Sequence, residues 1–311
     1  MRFILVLVIF AIILFSFWNY AGIKDKYEPH QGGTHYTNMV EGKKTPSPYC
    51  YRILIPMLSL GSTTLSYFWV FIGLAITAYG LYILTGLLGS SVYGQWLAAL
   101  LFLSWPPVFF EIPYWFSIAD PFAYAALVFS AVFILKRQYW YAIAFITLGC
   151  LSKEVALIAI PFMFIIEPNK WKHLLKIAWI PVAVWLLVVL IIEPTKSINI
   201  GEDNLDIIER FSAIRNIRAG GLLLSWSWTI KSLIVLGPLF LVGLTQIKDK
   251  KILWFLSALL FVFVAGDTTR ILAYTIPVLF PLAAIGLDSI ILGKYRLMVT
   301  GILLYINNLR I

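Results

Sequence analysis

Apolar residues run through this chain in long stretches that short polar breaks interrupt. The stretches at 1–20, 65–88, 174–192 and 271–292 carry few polar positions and no strict alternation of polar and apolar side chains. A helix of about 20 such residues crosses the ~30 Å hydrocarbon core of a bilayer, and lipid offers no partners for an unpaired backbone. Strands of a membrane barrel would alternate, so helix is the predicted state. The pattern predicts helices over 3–21, 65–88, 92–110, 119–136, 139–151, 154–167, 172–193, 222–246, 251–265, 270–292 and 295–310. The expected fold is therefore all-α, a polytopic transmembrane bundle of about 10–11 helices in one integral membrane domain. That domain covers 1–311, with two long connections at 22–64 and 194–221 and no tandem repeat or soluble domain.

The segment 139–167 reads either as one long helix or as a hairpin of two short ones broken at Leu151-Ser152-Lys153-Glu154. Charge favours the hairpin. With the N-terminus cytoplasmic, it puts Lys136, Arg137, Lys170, Lys172, Lys248, Lys250, Lys251, Lys294 and Arg296 all on the cytoplasmic side. Basic residues in short loops concentrate there. The same topology puts Glu28, Glu41, Glu111, Asp120, Glu154 and Asp267 on the outer side, with Arg52, Lys153, Arg215, Arg218, Lys231 and Arg270.

Composition agrees with the pattern. Hydrophobic residues make up 61% of the 311 positions and charged residues 13%, against roughly half and a quarter in soluble domains. A net charge of +9 would suggest nucleic acid in a soluble protein. Here the basic residues lie between apolar runs, so lipid headgroups account for them and no nucleic-acid partner is expected. There is no P-loop, dinucleotide fingerprint or zinc spacing. The N-terminal run ends in Phe17-Trp18-Asn19-Tyr20, a poor cleavage site, so an uncleaved first helix is expected rather than a signal peptide. Cys50 and Cys150 are expected near the outer face, with nothing to bring them together as a disulfide.

Several breaks between helices carry candidate chemistry. Ser117-Ile118-Ala119-Asp120-Pro121 fits a helix cap with a first-turn acid, or a carboxylate at a cavity rim serving as base or metal ligand. Ser152-Lys153-Glu154 fits a cap whose charges pair with neighbours, or a phosphate site at Lys153. In Gly266-Asp267-Thr268-Thr269-Arg270, Asp267 is a natural N-cap and Arg270 a bidentate anion ligand. Arg52 reads as an interfacial snorkeller or a ligand for a lipid phosphate. His30 and His35 precede a short helix with Tyr36, Met39 and Val40 on its apolar side. Residues 203–218 form an amphipathic pattern suited to a membrane surface, and Lys231 follows an aromatic belt at Trp226 and Trp228.

Together these features resemble the GT-C superfamily of integral membrane glycosyltransferases. The resemblance rests on a long first outer loop ending at 48–56 and on Ala119-Asp120-Pro121 opening a helix that ends at Lys136-Arg137. Leu151-Ser152-Lys153-Glu154, and Gly266 to Arg270 ahead of Tyr274 and Pro277, complete it. It implies a multi-pass protein of the cell membrane that moves a sugar from a polyprenyl-phosphate carrier to a glycan, lipid or protein acceptor on the non-cytoplasmic face. Lys153, Arg270 and Arg52 would then bind the lipid phosphate, with Glu154 and Asp267 in support and a divalent metal as a conceivable cofactor. The family's acid near the start of the first outer loop has no counterpart in Gly32-Gly33-Thr34-His35-Tyr36. Asp120 and Glu111 are therefore the candidate bases. Two other classes fit the same charges: a transporter or flippase of a lipid-linked or anionic solute, and a non-catalytic membrane scaffold.

Overall fold

The computed structural model describes residues 31–45, 49–105, 108, 118–192, 236–247, 250–263 and 274–290. Among them all regular structure is helical. In chain order the α-helices are α1 (Gln31–Val40), α2 (Leu54–Leu58), α3 (Thr63–Leu87), α4 (Val92–Leu103), α5 (Asp120–Leu135), α6 (Tyr139–Ser152), α7 (Ala159–Ile166), α8 (Trp171–Ile191), α9 (Leu236–Gln246) and α10 (Ile276–Ile290). Tighter 3-10 segments lie at Tyr49–Tyr51, Glu154–Ile158, Pro168–Lys170 and Lys250–Phe263. Helices expected over 3–21 and 295–310, and the amphipathic segment 203–218, lie outside the described residues. The chain divides into two compact units. The first is Met1–Gly80 with Val108–Ile198, and the second is Leu81–Pro107 with Asn199–Ile311.

Two of the described helices are long and apolar enough to cross a membrane, Thr63–Leu87 and the Pro168–Ile191 run that contains α8. The others are shorter. α4 stops at Leu103 rather than at 110, because Pro106 and Pro107 lack the N–H a helix needs and disfavour helical backbone before them. The expected helix at 154–167 is in fact a 3-10 turn followed by α7. Pro161, in the first turn of α7, has no N–H to give the Leu157 carbonyl.

The structure settles the reading of 139–167 in favour of a hairpin. Lys153 is extended, at φ −162° and ψ 132°, and ends α6. The chain then returns along α5, and Glu167 reaches Arg137 at 2.8 Å. The basic residues around 137 and 170 thus share one end of the first unit, and Asp120 and Lys153 meet at the other.

α5 and α6 pack along their length. Phe129 stacks on Phe145 with centroids 4.9 Å apart, and Phe133 meets both Phe145 and Tyr141. Close approach at the Asp120 end depends on Gly149. A methyl there would sit 2.5 Å from Ala126 Cβ and 2.6 Å from Ala156 Cβ, well inside contact distance, so the helices would have to part. At the other end α5 closes with Gln138 N–H on the Phe133 carbonyl and Arg137 N–H on the Ile134 carbonyl, a Schellman motif. Arg137 takes the left-handed position at φ 60°, where α1 and α3 use Gly42 and Gly89 in the same bonding pattern.

In the second unit Phe102 of α4 and Trp105 pack edge-on against Phe280 of α10. Asp288 of α10 accepts from the Ser91 N–H and the Ser90 hydroxyl at the start of α4.

Candidate functional site

The candidate site stands where α5 begins and α6 ends. The Ala119 carbonyl accepts the Ser152 hydroxyl at 2.7 Å, and the Pro121 carbonyl accepts the Thr77 hydroxyl of α3 at 3.2 Å. These bonds fix the backbone on both sides of Asp120. Pro121 suits the first turn, where its missing N–H costs nothing. The two helices run antiparallel, so the positive end of α5 adjoins the negative end of α6. Asp120 lies in the first turn of α5, and Lys153 caps α6. Each ion therefore occupies the helix end whose dipole favours it.

Lys153 Nζ and Asp120 Oδ1 are 2.5 Å apart, with only 12% and 2% of their side chains exposed. The next residue, Glu154, makes a forked pair with Arg52. Nη2 donates to Oε1 at 2.9 Å and Nε to Oε2 at 3.4 Å. Arg52 spends its remaining arm on the Tyr36 hydroxyl, 2.9 Å from Nη1. Arg52 is 11% exposed but Glu154 is 41% exposed, so the second pair opens outward at its carboxylate. Burial pushes the Glu154 carboxyl up, and the Arg52 guanidinium with its hydrogen bond outweighs this, leaving it below the usual carboxylate range.

Of the residues singled out in the sequence, Asp120, Lys153, Glu154 and Arg52 come together here. Glu111, Asp267 and Arg270 lie outside the described residues, as do Ser117 and Lys231. One capping expectation needs correction. Ser152 does not cap the next helix, since its hydroxyl is bound to Ala119. The N-cap position of α5 falls on Ala119, Asp120 follows it in the first turn with its carboxylate on Lys153, and Ser117 of the expected capping box lies outside the described residues. Tyr36 was legible only as an apolar-side residue. It is 3% exposed, and a buried tyrosine hydroxyl needs a partner, which is the signal that could have tied it to a nearby cation. The short helix begins at Gln31, inside the stretch expected to precede it.

The donor set does not fit a divalent ion. Among the described residues no three His, Cys, Asp or Glu side chains are grouped to hold a metal, and a cation already engages both carboxylates at the site. Cys50 and Cys150 are both buried free thiols.

No family model, curated protein or solved structure matches this chain. The chemistry must be read from the residues themselves. Two cations and two carboxylates stand in two neighbouring pairs, one sealed and one open. A polyanion arriving at the open pair could take the guanidinium from Glu154 and release a carboxylate able to accept a proton.

Proposed function

We propose that this chain is an integral membrane glycosyltransferase of GT-C-like architecture, acting on a polyprenyl-phosphate sugar at the non-cytoplasmic face. The observation that carries the reading is the Arg52–Glu154 and Asp120–Lys153 cluster, set at the opposite end of α5 and α6 from the basic residues 137 and 170. Basic loops mark the cytoplasmic side, so the cluster falls to the outer side. Membrane placement is further supported by α8, whose spanning window is only 22% buried. Leu186, Leu187, Leu190 and Ile191 are exposed there, a lateral apolar face suited to lipid rather than water.

In the proposed reaction the donor phosphate exchanges onto Arg52 and Lys153. The acceptor hydroxyl oxygen attacks the anomeric carbon, and the bond from that carbon to the phosphate oxygen breaks. Its electron pair leaves on the lipid phosphate, which the two cations neutralise. The hydroxyl proton passes to a released carboxylate, Asp120 or Glu154. Glu111 remains a second candidate base outside the described residues. No step runs through a metal.

A specific observation favours a second reading. The cluster is charge-balanced and every member is already paired, which also suits a structural lock in a non-catalytic membrane subunit. The deciding experiment reconstitutes the protein with labelled polyprenyl-phosphate sugars and follows release of the lipid phosphate. Arg52→Ala and Glu154→Gln should each lower turnover per folded molecule by about 10²–10⁴-fold. Turnover unchanged by both, or no release from any lipid-phosphate sugar, would leave the structural lock standing.

A further inference from the structure

The opposite end of the α5–α6 hairpin carries a second, unrelated feature. A groove of about 500 Å³ is lined by Arg137, Tyr139, Trp140, Tyr141, Lys170 and His173, with Gln138. Its chemistry is basic and aromatic. Lys170 Nζ lies 5.7 Å from the centre of the Tyr139 ring. Trp140 and Tyr141 are exposed, as is Trp171 just beyond the groove. Exposed indole and phenol rings are the side chains that settle at headgroup depth. Among the described residues its cations pair with one carboxylate, Glu167, which Arg137 and Lys170 share at 2.8 and 3.9 Å. Its two permanent cations, Arg137 and Lys170, thus outnumber that acid. The Tyr139 side chain is buried, and its hydroxyl has no hydrogen-bond partner, an unmet polar group at a place where a headgroup oxygen or its water could serve.

We infer that this groove binds the headgroup of an anionic phospholipid from the cytoplasmic leaflet of the bilayer. Three observations converge on that occupant. The excess positive charge requires an anion. The exposed rings beside it suit the interface rather than free solution. The same basic residues fix this end as cytoplasmic, the leaflet whose surface carries anionic lipid. The inference rests on the membrane placement proposed above and not on glycosyl transfer, since the groove and the Asp120 cluster lie at opposite ends of the hairpin.

The test is native mass spectrometry and equilibrium binding of the purified full-length protein with phosphatidylglycerol and phosphatidylcholine of the same chain length. Phosphatidylglycerol should be retained at least tenfold more tightly. Lys170→Gln should weaken that retention roughly fivefold, the usual worth of one basic residue at an anionic surface. Lys170 is exposed, so the fold should tolerate the change. Lys172→Gln, whose ammonium lies over Trp171 and outside the groove, should change retention far less. Equal retention of the two lipids overturns the inference. So does an equal loss in Lys170→Gln and Lys172→Gln, which would mean diffuse attraction without a site. Binding of soluble glycerol phosphate as tightly as the lipid would place the ligand in solution and overturn it as well. Transfer activity can be lost or kept in any of these outcomes, so failure here is distinguishable from failure of the enzyme reading.

Discussion

The two ends of the α5–α6 hairpin use the same ion pairs in opposite ways. At one end Asp120 and Lys153 are shut between helices, and Arg52 is buried beneath the half-open Glu154. At the other end Arg137 and Lys170 are 69% and 49% exposed around Glu167. Contact distances barely separate the tighter bonds, but burial does. A sealed ion has no water to fall back on when its partner leaves, whereas an exposed one simply rehydrates. The sealed end therefore specifies how the helices meet, and the open end is free to meet something else.

The largest effect expected from this contrast is at Asp120. Asp120→Ala takes the carboxylate from the buried Lys153 ammonium and should destabilise the folded protein by about 3–5 kcal/mol. The pair replacement Asp120→Leu with Lys153→Met should recover most of that loss, because neither charge is then left alone. Chemical denaturation of the three variants in one detergent measures both terms. Additive losses in the double variant would break the comparison.

A smaller and pH-dependent effect is expected at Glu154. Its carboxyl is held below the usual range in the folded state, so the folded state binds fewer protons than the unfolded one between the two values. Its contribution is thus fully present above the unfolded pKa of about 4.3 and is lost as pH falls through the depressed folded value. Glu154→Gln should flatten the acid side of a stability–pH curve and leave its neutral side lower. An unchanged acid limb would show that Arg52 does not hold this carboxylate.

The smallest effect sharpens the open end. Arg137 is left-handed without being glycine, and its pair with Glu167 is worth at most about 1 kcal/mol at this exposure. Arg137→Ala loses the pair and keeps the backbone strain. Arg137→Gly loses the pair but relieves the strain, and should be more stable than Arg137→Ala by about 1 kcal/mol. Equal stability of the two would mean that the motif carries no strain at φ 60°.

Much of this was legible along the chain because lipid-length apolar runs and loop charges are one-dimensional signals. Lys136, Arg137, Lys170 and Lys172 predicted the return at Lys153, and Arg137 meeting Glu167 realises it. Lys153 and Glu154 were visible as ions costly to leave between apolar helices, Asp120 as a first-turn acid or rim carboxylate, and Arg52 as an interfacial cation. Their partners were not visible. Which carboxylate a cation finds depends on how closely helices approach, here on Gly149 against Ala126, and no local pattern states that. Tyr36 was hidden for the same reason, since an apolar stripe describes its ring and omits its hydroxyl. The 3-10 start of the hairpin's second arm could have been read from Pro161 and the early stop of α4 from Pro106-Pro107, where an unbroken hydropathy run obscured both.

The two pairs at the sealed end also differ in how far apart their members are made. Asp120 and Lys153 are separated by 33 residues, Arg52 and Glu154 by 102. Closing the longer loop costs about 1 kcal/mol more chain entropy. During synthesis Arg52 therefore leaves the ribosome long before its carboxylate exists, with Tyr36, 16 positions away, as its nearer partner. The short loop is complete one residue before Glu154 is added. The last ion of the cluster to be made is thus the half-exposed Glu154, the residue through which the site opens.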